Sequence, residues 1–411
     1  MAGPASLILI AVFGALTLIG VPLAVSITAA AIAAVMLVAP FDMALFTSAQ
    51  KMLASLDSFS LLAVPFFILS GVIMNSGGIA VRLVDFAKLI AGRIPGSLAQ
   101  TNIAGNMLFG CISGSAIAAS TSIGGVMVPM QKREGYDHDF AAAVNIASAP
   151  TGMLIPPTTA FIIYSLISGG TSVAALFMGG AVAGTLWGLG MMVLTAIVAR
   201  RRGWPVAPGV SLRQALQVTI AALPSLMLIV LIIGGILLGI VTAVEASGVA
   251  VVYTLLLAFV IHRTMPISAL PGFLLETVQM TGTIMLLLAA SAALSFAMAF
   301  TGIPAAVTAL ILGIAEDPFM VMLIINVLLP IAQKVGVDPV HFGVIMIFNL
   351  AIGTITPPVG TGLFVGAGVA KVKVEAAIKA LVPFYLLLVA LLLVVTYVPA
   401  LTMALPRHFG L

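Results

Sequence analysis

The sequence predicts an all-α polytopic membrane protein of two inverted-topology repeats, with broken helices and re-entrant hairpins. Three observations predict it. Of 411 residues, 62% are hydrophobic and 7% are charged, against roughly 25% charged in soluble domains. No Asp, Glu, Lys or Arg occurs in 1–41, 94–131, 140–199, 277–315 or 380–406. Proline pairs recur inside apolar runs at matching places in the two halves. A spanning helix takes about 20 apolar residues, so these runs hold roughly ten to twelve crossings. So little charge excludes a soluble enzyme, a nucleic-acid binder and a peripheral protein. The net charge of +4 reports orientation rather than a partner.

In chain order, residues 5–39 come first, apolar and with no basic start, unlike a cleaved signal peptide. Gly20-Val21-Pro22 divides them into two retained spans. Ser58–Gly71, between Asp57 and Asn75, is short enough for a re-entrant hairpin. Gly110–Gly125 holds five hydroxyls and four glycines. Within it, Ser113-Gly114-Ser115 reads as a helix break whose oxygens suit a small hard cation, although close helix packing uses the same small residues. Cys111 is the single cysteine and has no partner for an internal disulfide. Lys132–Asp139 reads as a solvated loop. Glu245 is expected to cap a helix start after a turn at Gly239. No polar stretch is long enough for a soluble domain, so a ligand-capturing module has to be another polypeptide.

The halves are 1–205 and 206–411, joined by the basic, then Pro- and Gly-rich stretch Arg200–Gly209. Pro129, Gly135, Asp137, Gly152, Pro156 and Pro157 each have a twin 201 residues later, at Pro330, Gly336, Asp338, Gly353, Pro357 and Pro358. Upstream, Gly78, Ile79 and Asn102 match Gly302, Ile303 and Asn326 at an offset of 224. Basic residues of one half fall opposite neutral or acidic residues of the other, as opposite membrane faces produce. That pattern puts Arg82–Arg93, Arg200–Arg202, Arg263 and Lys371–Lys379 on the cytoplasmic side, and Lys51 fits it poorly. Inverted repeats are a common transporter design.

The two proline pairs lie in Pro150–Thr159 and Asn349–Gly360. Proline lacks an N–H and disfavours helix before it. A helix from Asp338 is expected to end near Gly353, and a new one to start at Pro357 with Thr356 as N-cap. Unwound backbone at membrane depth persists only when buried or lining a polar cavity. The helix end offers carbonyls to a cation, and the next helix start offers N–H groups to a carboxylate. A plain proline kink explains one such pair; the symmetric recurrence favours a site. The Ser113–Ser115 and 353–357 breaks are expected to face each other. The sequence has no Walker loop, HExxH, GxSxG or Cys/His cluster, so uptake would draw on an ion gradient. Each charge crossing 100 mV supplies about 2.3 kcal/mol.

These motifs carry a resemblance. Ser113-Gly114-Ser115-Ala116, Val128-Pro129-Met130 with Gly135-Tyr136, Ala149-Pro150-Thr151-Gly152 with Pro156-Pro157-Thr158, and Gly336–Gly343 with Thr356–Gly360 resemble the large membrane subunit of TRAP transporters. These are tripartite ATP-independent periplasmic transporters of the ion transporter superfamily. The likeness runs from about Gly20 to Pro383. It implies an elevator-type secondary carrier in the bacterial inner membrane, not an enzyme, coupling sodium to uptake of an organic acid such as a dicarboxylate or sugar acid. No organic cofactor and no nucleic acid are implied. The implied partners are a small four-helix membrane subunit and a periplasmic substrate-binding protein.

By the same resemblance, Ser115, Thr151, Gly152, Pro156, Thr356 and Pro357 would meet substrate. Ser113, Gly114, Ser115, Gly152, Asn349, Gly353 and Thr356 would ligate sodium. Two departures stand out. The second repeat is shorter by 23 residues between Asn326 and Pro330, from the two offsets 224 and 201, where the family has a Gly-x-x-x-Asp stretch. Thr242-Ala243-Val244-Glu245 replaces the usual Thr-Pro-Thr-Glu. The shortening also fits a degenerate, non-transporting subunit or scaffold, and a stand-alone sodium/dicarboxylate symporter is a third reading. Residues 318–329 are too few to span, so the second repeat is expected to lack a complete hairpin.

Overall fold

The computed structural model describes residues 2–76, 79–204, 206–207, 209–263, 265–306, 336–357 and 360–411. Every regular element among them is helical. The expectation of an incomplete hairpin concerns 318–329, which lies outside the described residues. Contacts group the chain into two units, the first comprising Met1–Leu62 and Leu275–Ile325, the second Ala63–Leu274 and Asn326–Leu411.

In the first unit, α1 (Ala2–Leu18) and α2 (Leu23–Val35) pack on each other across the turn at Gly20, whose φ is +88°. The turn falls where Gly20-Val21-Pro22 predicts it. The helices hold 17 and 13 residues, fewer than the roughly 20 of an upright span. After α3 (Phe41–Leu56), the unit is completed by the part of α13 (Leu270–Thr301) from Leu275 on. Its core is built from Ala31, Val35, Ala39, Ala44, Ala293 and Ala297, small side chains that let backbones approach closely. The Lys51 ammonium stands 5.8 Å from the Phe296 ring centroid. That cation–π contact gives a physical role to the lysine that charge orientation left unexplained.

The second unit holds α4 (Ala63–Ser76), α5 (Ile79–Ala91), α6 (Ser97–Ser113), α7 (Ala116–Arg133), α8 (His138–Ser148) and α9 (Thr159–Ile167). It continues with α10 (Val173–Arg202), α11 (Leu212–Leu237) and α12 (Ala243–Leu255). After the start of α13 come α14 (Pro339–Gly353), α15 (Thr361–Ala370), α16 (Val374–Tyr397) and α17 (Ala400–His408). Polar side chains fix many of the starts. Ser115, Asp137, Thr158, Ser172, Ser211, Thr242 and Asp338 each accept a backbone N–H of the first turn, which satisfies a donor the helix cannot pair itself. Thr242 and Glu245 form a reciprocal capping box, the role expected for Glu245. Thr242→Ala should therefore cost about 1 kcal/mol, measurable as a lowered melting temperature of the purified protein.

Five described helices are each long and apolar enough to cross a membrane, or six if one bent pair counts as a single span. The expectation of ten to twelve crossings is for the whole chain, whereas this count is of the described residues alone. Among the described residues the backbone interrupts the apolar runs at 113–115, 149–158 and 354–357. Phe59–Asn75 is bent by 64° from Phe41–Leu56, a geometry that a broken span and a re-entrant segment share. A 3-10 turn, Phe59–Leu62, leads into the single helix α4.

One end of the second unit is rich in charge. Arg202 Nη1 lies 3.1 Å from Asp137 Oδ2, and its guanidinium stands over Trp204 and Phe140. Trp204 stacks on Tyr136 at 4.5 Å. Arg202, Lys373 and Lys379 share one cavity of about 690 Å³ with Asp137, Asp139 and Glu375. The two basic stretches thus lie at one end of the unit. The Phe140 N–H, and then Arg202, hold the Asp137 carboxyl below the usual carboxylate range against partial burial. Because its folded pKa is depressed, Asp137 stabilises the fold above the ordinary carboxylate pKa of about 3.9. That contribution is lost as pH falls through the lower folded value. Asp137→Ala should cost about 1 kcal/mol near neutral pH, and the difference from the parent should shrink in acid-titrated unfolding curves.

Candidate functional site

The break at Ser113-Gly114-Ser115 forms as its residues predict. Helix α6 ends at Ser113, Gly114 takes φ +61°, and Ser115 caps α7 by accepting the Ala118 N–H at 3.3 Å. Glycine fits there because L side chains disfavour positive φ. The Ser113 hydroxyl has only long contacts within the break, 3.4 Å from Ser115 N and 3.5 Å from Ser115 O. Ser113, Gly114 and Ser115 are all half-buried, and α6 and α7 pack on each other. Gly110 O accepts the Gly114 N–H at 2.7 Å, and the Cys111, Ile112 and Ser113 carbonyls beyond it lie past the last hydrogen-bonded turn of α6.

The first proline break lies against this tip. Helix α8 gives way to a 3-10 turn, Ala149–Met153, and α9 starts at Thr159 with Thr158 as its cap. The Pro156–Pro157 peptide is cis. Thr151, Gly152 and Pro156 are buried, and the Thr151 hydroxyl donates to Ser148 O at 2.7 Å. Gly110 and Gly152 meet backbone to backbone: a Cβ on Gly110 would stand 2.6 Å from Gly152 Cα. Where Gly114 sits, a Cβ would be 3.6 Å from Pro157 O and 3.8 Å from Thr159 N. The structure therefore joins the Ser113–Ser115 break to Gly152 and to the start of α9. That start presents first-turn N–H groups beside hydroxyls and carbonyls.

The second break departs from its expected form. Helix α14 ends at Gly353 as the sequence predicts, but the next helix starts at Thr361 behind Gly360, not at Pro357 behind Thr356. Thr356 turns its hydroxyl backward and donates to Ile352 O at 2.7 Å. It thereby closes the end of α14 instead of opening α15. Ile355 O accepts the Tyr385 hydroxyl at 2.5 Å. Thr356 is half-buried and Pro357 and Gly353 are exposed, while Asn349 is half-buried on the last turns of α14. Helix α14 packs on the 149–153 turn, and α15 packs on α7 and α8. The elements flanking the second break thus rest on those flanking the first.

Sequence reasoning missed the polar layer beneath the break. Asn106 Nδ2, with two N–H donors, lies 2.7 Å from Ser148 Oγ, 3.1 Å from Asn145 Oδ1 and 3.2 Å from Asn102 Oδ1. Asn145 Nδ2 donates to Ser120 O at 3.0 Å and Ser120 Oγ at 3.1 Å. All five residues are buried. The layer ties α6, α7 and α8 together, and its paired groups rigidify what they join in low dielectric, while Asn102 Nδ2 and Asn106 Oδ1 are buried without a partner among the described residues. Asn102 and Asn106, one helical turn apart on an otherwise apolar face, were the available signal. Among the described residues no group of three His, Cys, Asp or Glu side chains could hold a metal ion. The oxygen donors here are hydroxyls, carbonyls and carboxamides, a set that suits an alkali cation better than a transition metal.

Known proteins share this sequence pattern. Residues 10–329 and 320–401 match the family described as "Tripartite ATP-independent periplasmic transporter, DctM component". The two matched segments meet at 320–329, beside the stretch where the second repeat is short. The chain is 44% identical to an uncharacterized protein, YgiK, of Salmonella typhimurium, covering 98% of each chain. That alignment spans 425 positions against 411 residues in this chain, so it opens gaps here. A C4-dicarboxylate TRAP transporter large permease protein of Pseudomonas aeruginosa is 37% identical over 88% of this chain and 90% of its own. A sialic acid TRAP transporter large permease protein of Vibrio cholerae is 35% identical over the same shares, 88% and 90%.

Proposed function

The chain belongs to the DctM-component family of tripartite ATP-independent periplasmic transporters, the large permease subunits, and on that premise we propose that it carries an organic acid across the bacterial inner membrane, driven by sodium. The observation that carries this reading is the junction of the Ser113–Ser115 break with Gly152 and the α9 start. A helix end with free carbonyls and hydroxyls suits sodium, and a helix start with free N–H groups suits a carboxylate. The proposed sodium ligands are oxygens of Ser113, Gly114, Ser115, Gly152, Asn349, Gly353 and Thr356. The proposed substrate contacts are Ser115, Thr151, Gly152, Pro156, Thr356 and Pro357. The C4-dicarboxylate and sialic acid relatives support a carboxylate substrate.

The working assembly is proposed to include a small four-helix membrane subunit and a periplasmic substrate-binding protein. Inverted repeats, 1–205 and 206–411, would let the site-bearing block move as an elevator against a fixed scaffold. The polar layer of Asn102, Asn106 and Asn145 supports this reading by holding three site helices as one body.

The test is uptake of labelled organic acid into proteoliposomes holding the chain with both partners. An inward sodium gradient should drive accumulation, and a potassium gradient of equal size should not. No uptake under either gradient, with the binding protein loaded, would favour the non-transporting subunit that the short second repeat suggests. Uptake independent of the binding protein would favour a stand-alone symporter.

A further inference from the structure

A second ligand site lies at the basic end of the second unit, away from the helix breaks. A groove of about 670 Å³ opens between the end of α5, the linker and the start of α11. Its charged lining residues are Lys88 and Arg93, with no acidic residue among the lining. Among the described residues the one ion pair is Arg202–Asp137, so no carboxylate within ion-pair distance neutralises either cation. The linker is held in place there: Ala207 N donates to Gly92 O at 3.0 Å. Gly209 lies beside Arg93, since a Cβ on it would stand 3.4 Å from the guanidinium. The remaining walls are largely apolar, including Leu89, Ile90 and Val210.

What leaves the groove is as informative as what lines it. Leu212 is 87% exposed, and Leu216, Ile220 and Leu223 follow at 60%, 59% and 53%. Their spacing of four, four and three puts them on one face of α11. Eleven residues of helix run about 16 Å, long enough to guide much of an acyl chain. A soluble anion would use the two cations and leave this rail bare. A neutral lipid would use the rail and leave the cations unpaired.

We propose that this groove binds an anionic phospholipid, its phosphate between Lys88 and Arg93 and one acyl chain along Leu212, Leu216, Ile220 and Leu223. Basic residues at the membrane surface favour anionic lipids by about 1 kcal/mol each, roughly fivefold in affinity per charge. The site would pin the linker at Gly92 and Ala207 and so tie the two halves of the chain to the inner leaflet.

The test is native mass spectrometry of the purified full chain in detergent, titrated with phosphatidylglycerol and with phosphatidylcholine. Phosphatidylglycerol should be retained in preference. The K88Q/R93Q double variant should lose that preference by roughly twenty-five-fold, while an R201Q/R407Q control of equal charge keeps it. L212N/L216N should weaken phosphatidylglycerol binding with the cations intact, and inorganic phosphate should compete poorly. Equal retention of both lipids, an unchanged K88Q/R93Q variant, equal loss in the control, or competition by phosphate at matched concentration would each overturn the proposal.

Discussion

Replacing Gly110 or Gly152 with alanine is expected to reduce sodium-driven uptake at least tenfold while the chain still inserts. A Cβ at either position would stand 2.6 Å from the Cα of the other glycine. The obstacle is backbone on both sides, so no rotamer change relieves it. Overpacking of this kind costs about 1–3 kcal/mol, and relief requires α6 to move off the 149–153 turn. That movement separates the Ser113–Ser115 break from Gly152 and Pro157–Thr159. Gly125 is the control: it lies on α7, the helix that follows the Ser113–Ser115 break, where an added Cβ would meet nothing within 4 Å, and Gly125→Ala should transport normally. Uptake rates and membrane-inserted amounts, measured together, separate a lost site from a lost protein. Full activity in Gly110→Ala would mean that the two breaks do not act together.

The largest effect on ion affinity is expected from S113A/S115A. The Ser113 hydroxyl has only long contacts inside the break, leaving its lone pairs available to a cation. If each lost ligand costs about 1.4 kcal/mol, the double variant needs roughly a hundredfold more sodium for half-maximal uptake. Thr356→Ala should cost less than tenfold. Its hydroxyl donates to Ile352 O, so part of its role is to close α14, and only its remaining lone pairs are free for an ion. The reverse order of effects would move the centre of the sodium site to the second break.

Much of this arrangement was legible in the residues because the breaks obey local rules. Gly114 between two serines stops α6 for reasons of φ and capping, and Pro357, which lacks an N–H for the Gly353 carbonyl, stops α14; neither depends on distant packing. The capping box of Thr242 and Glu245 is equally local. The start of α15 was misplaced because Thr356 had two partners within reach. It closes the helix behind it, and Gly360 opens the one ahead. The contact of Gly110 with Gly152 could not be read from sequence, since a small residue signals close approach without naming its partner. Asn145 was overlooked because its partners, Ser120 and Asn106, lie 25 and 39 residues away.

Coupling between sodium and an acid at one site is the central claim, and simultaneous flux measures it most directly. Vesicles holding the chain, its small membrane subunit and the loaded binding protein would be given labelled sodium and labelled acid together. Both should enter in a fixed ratio of at least one sodium per acid, and S113A/S115A should depress both fluxes in parallel. Acid accumulating without sodium entry, or sodium entry unaffected by the acid, would contradict the claim.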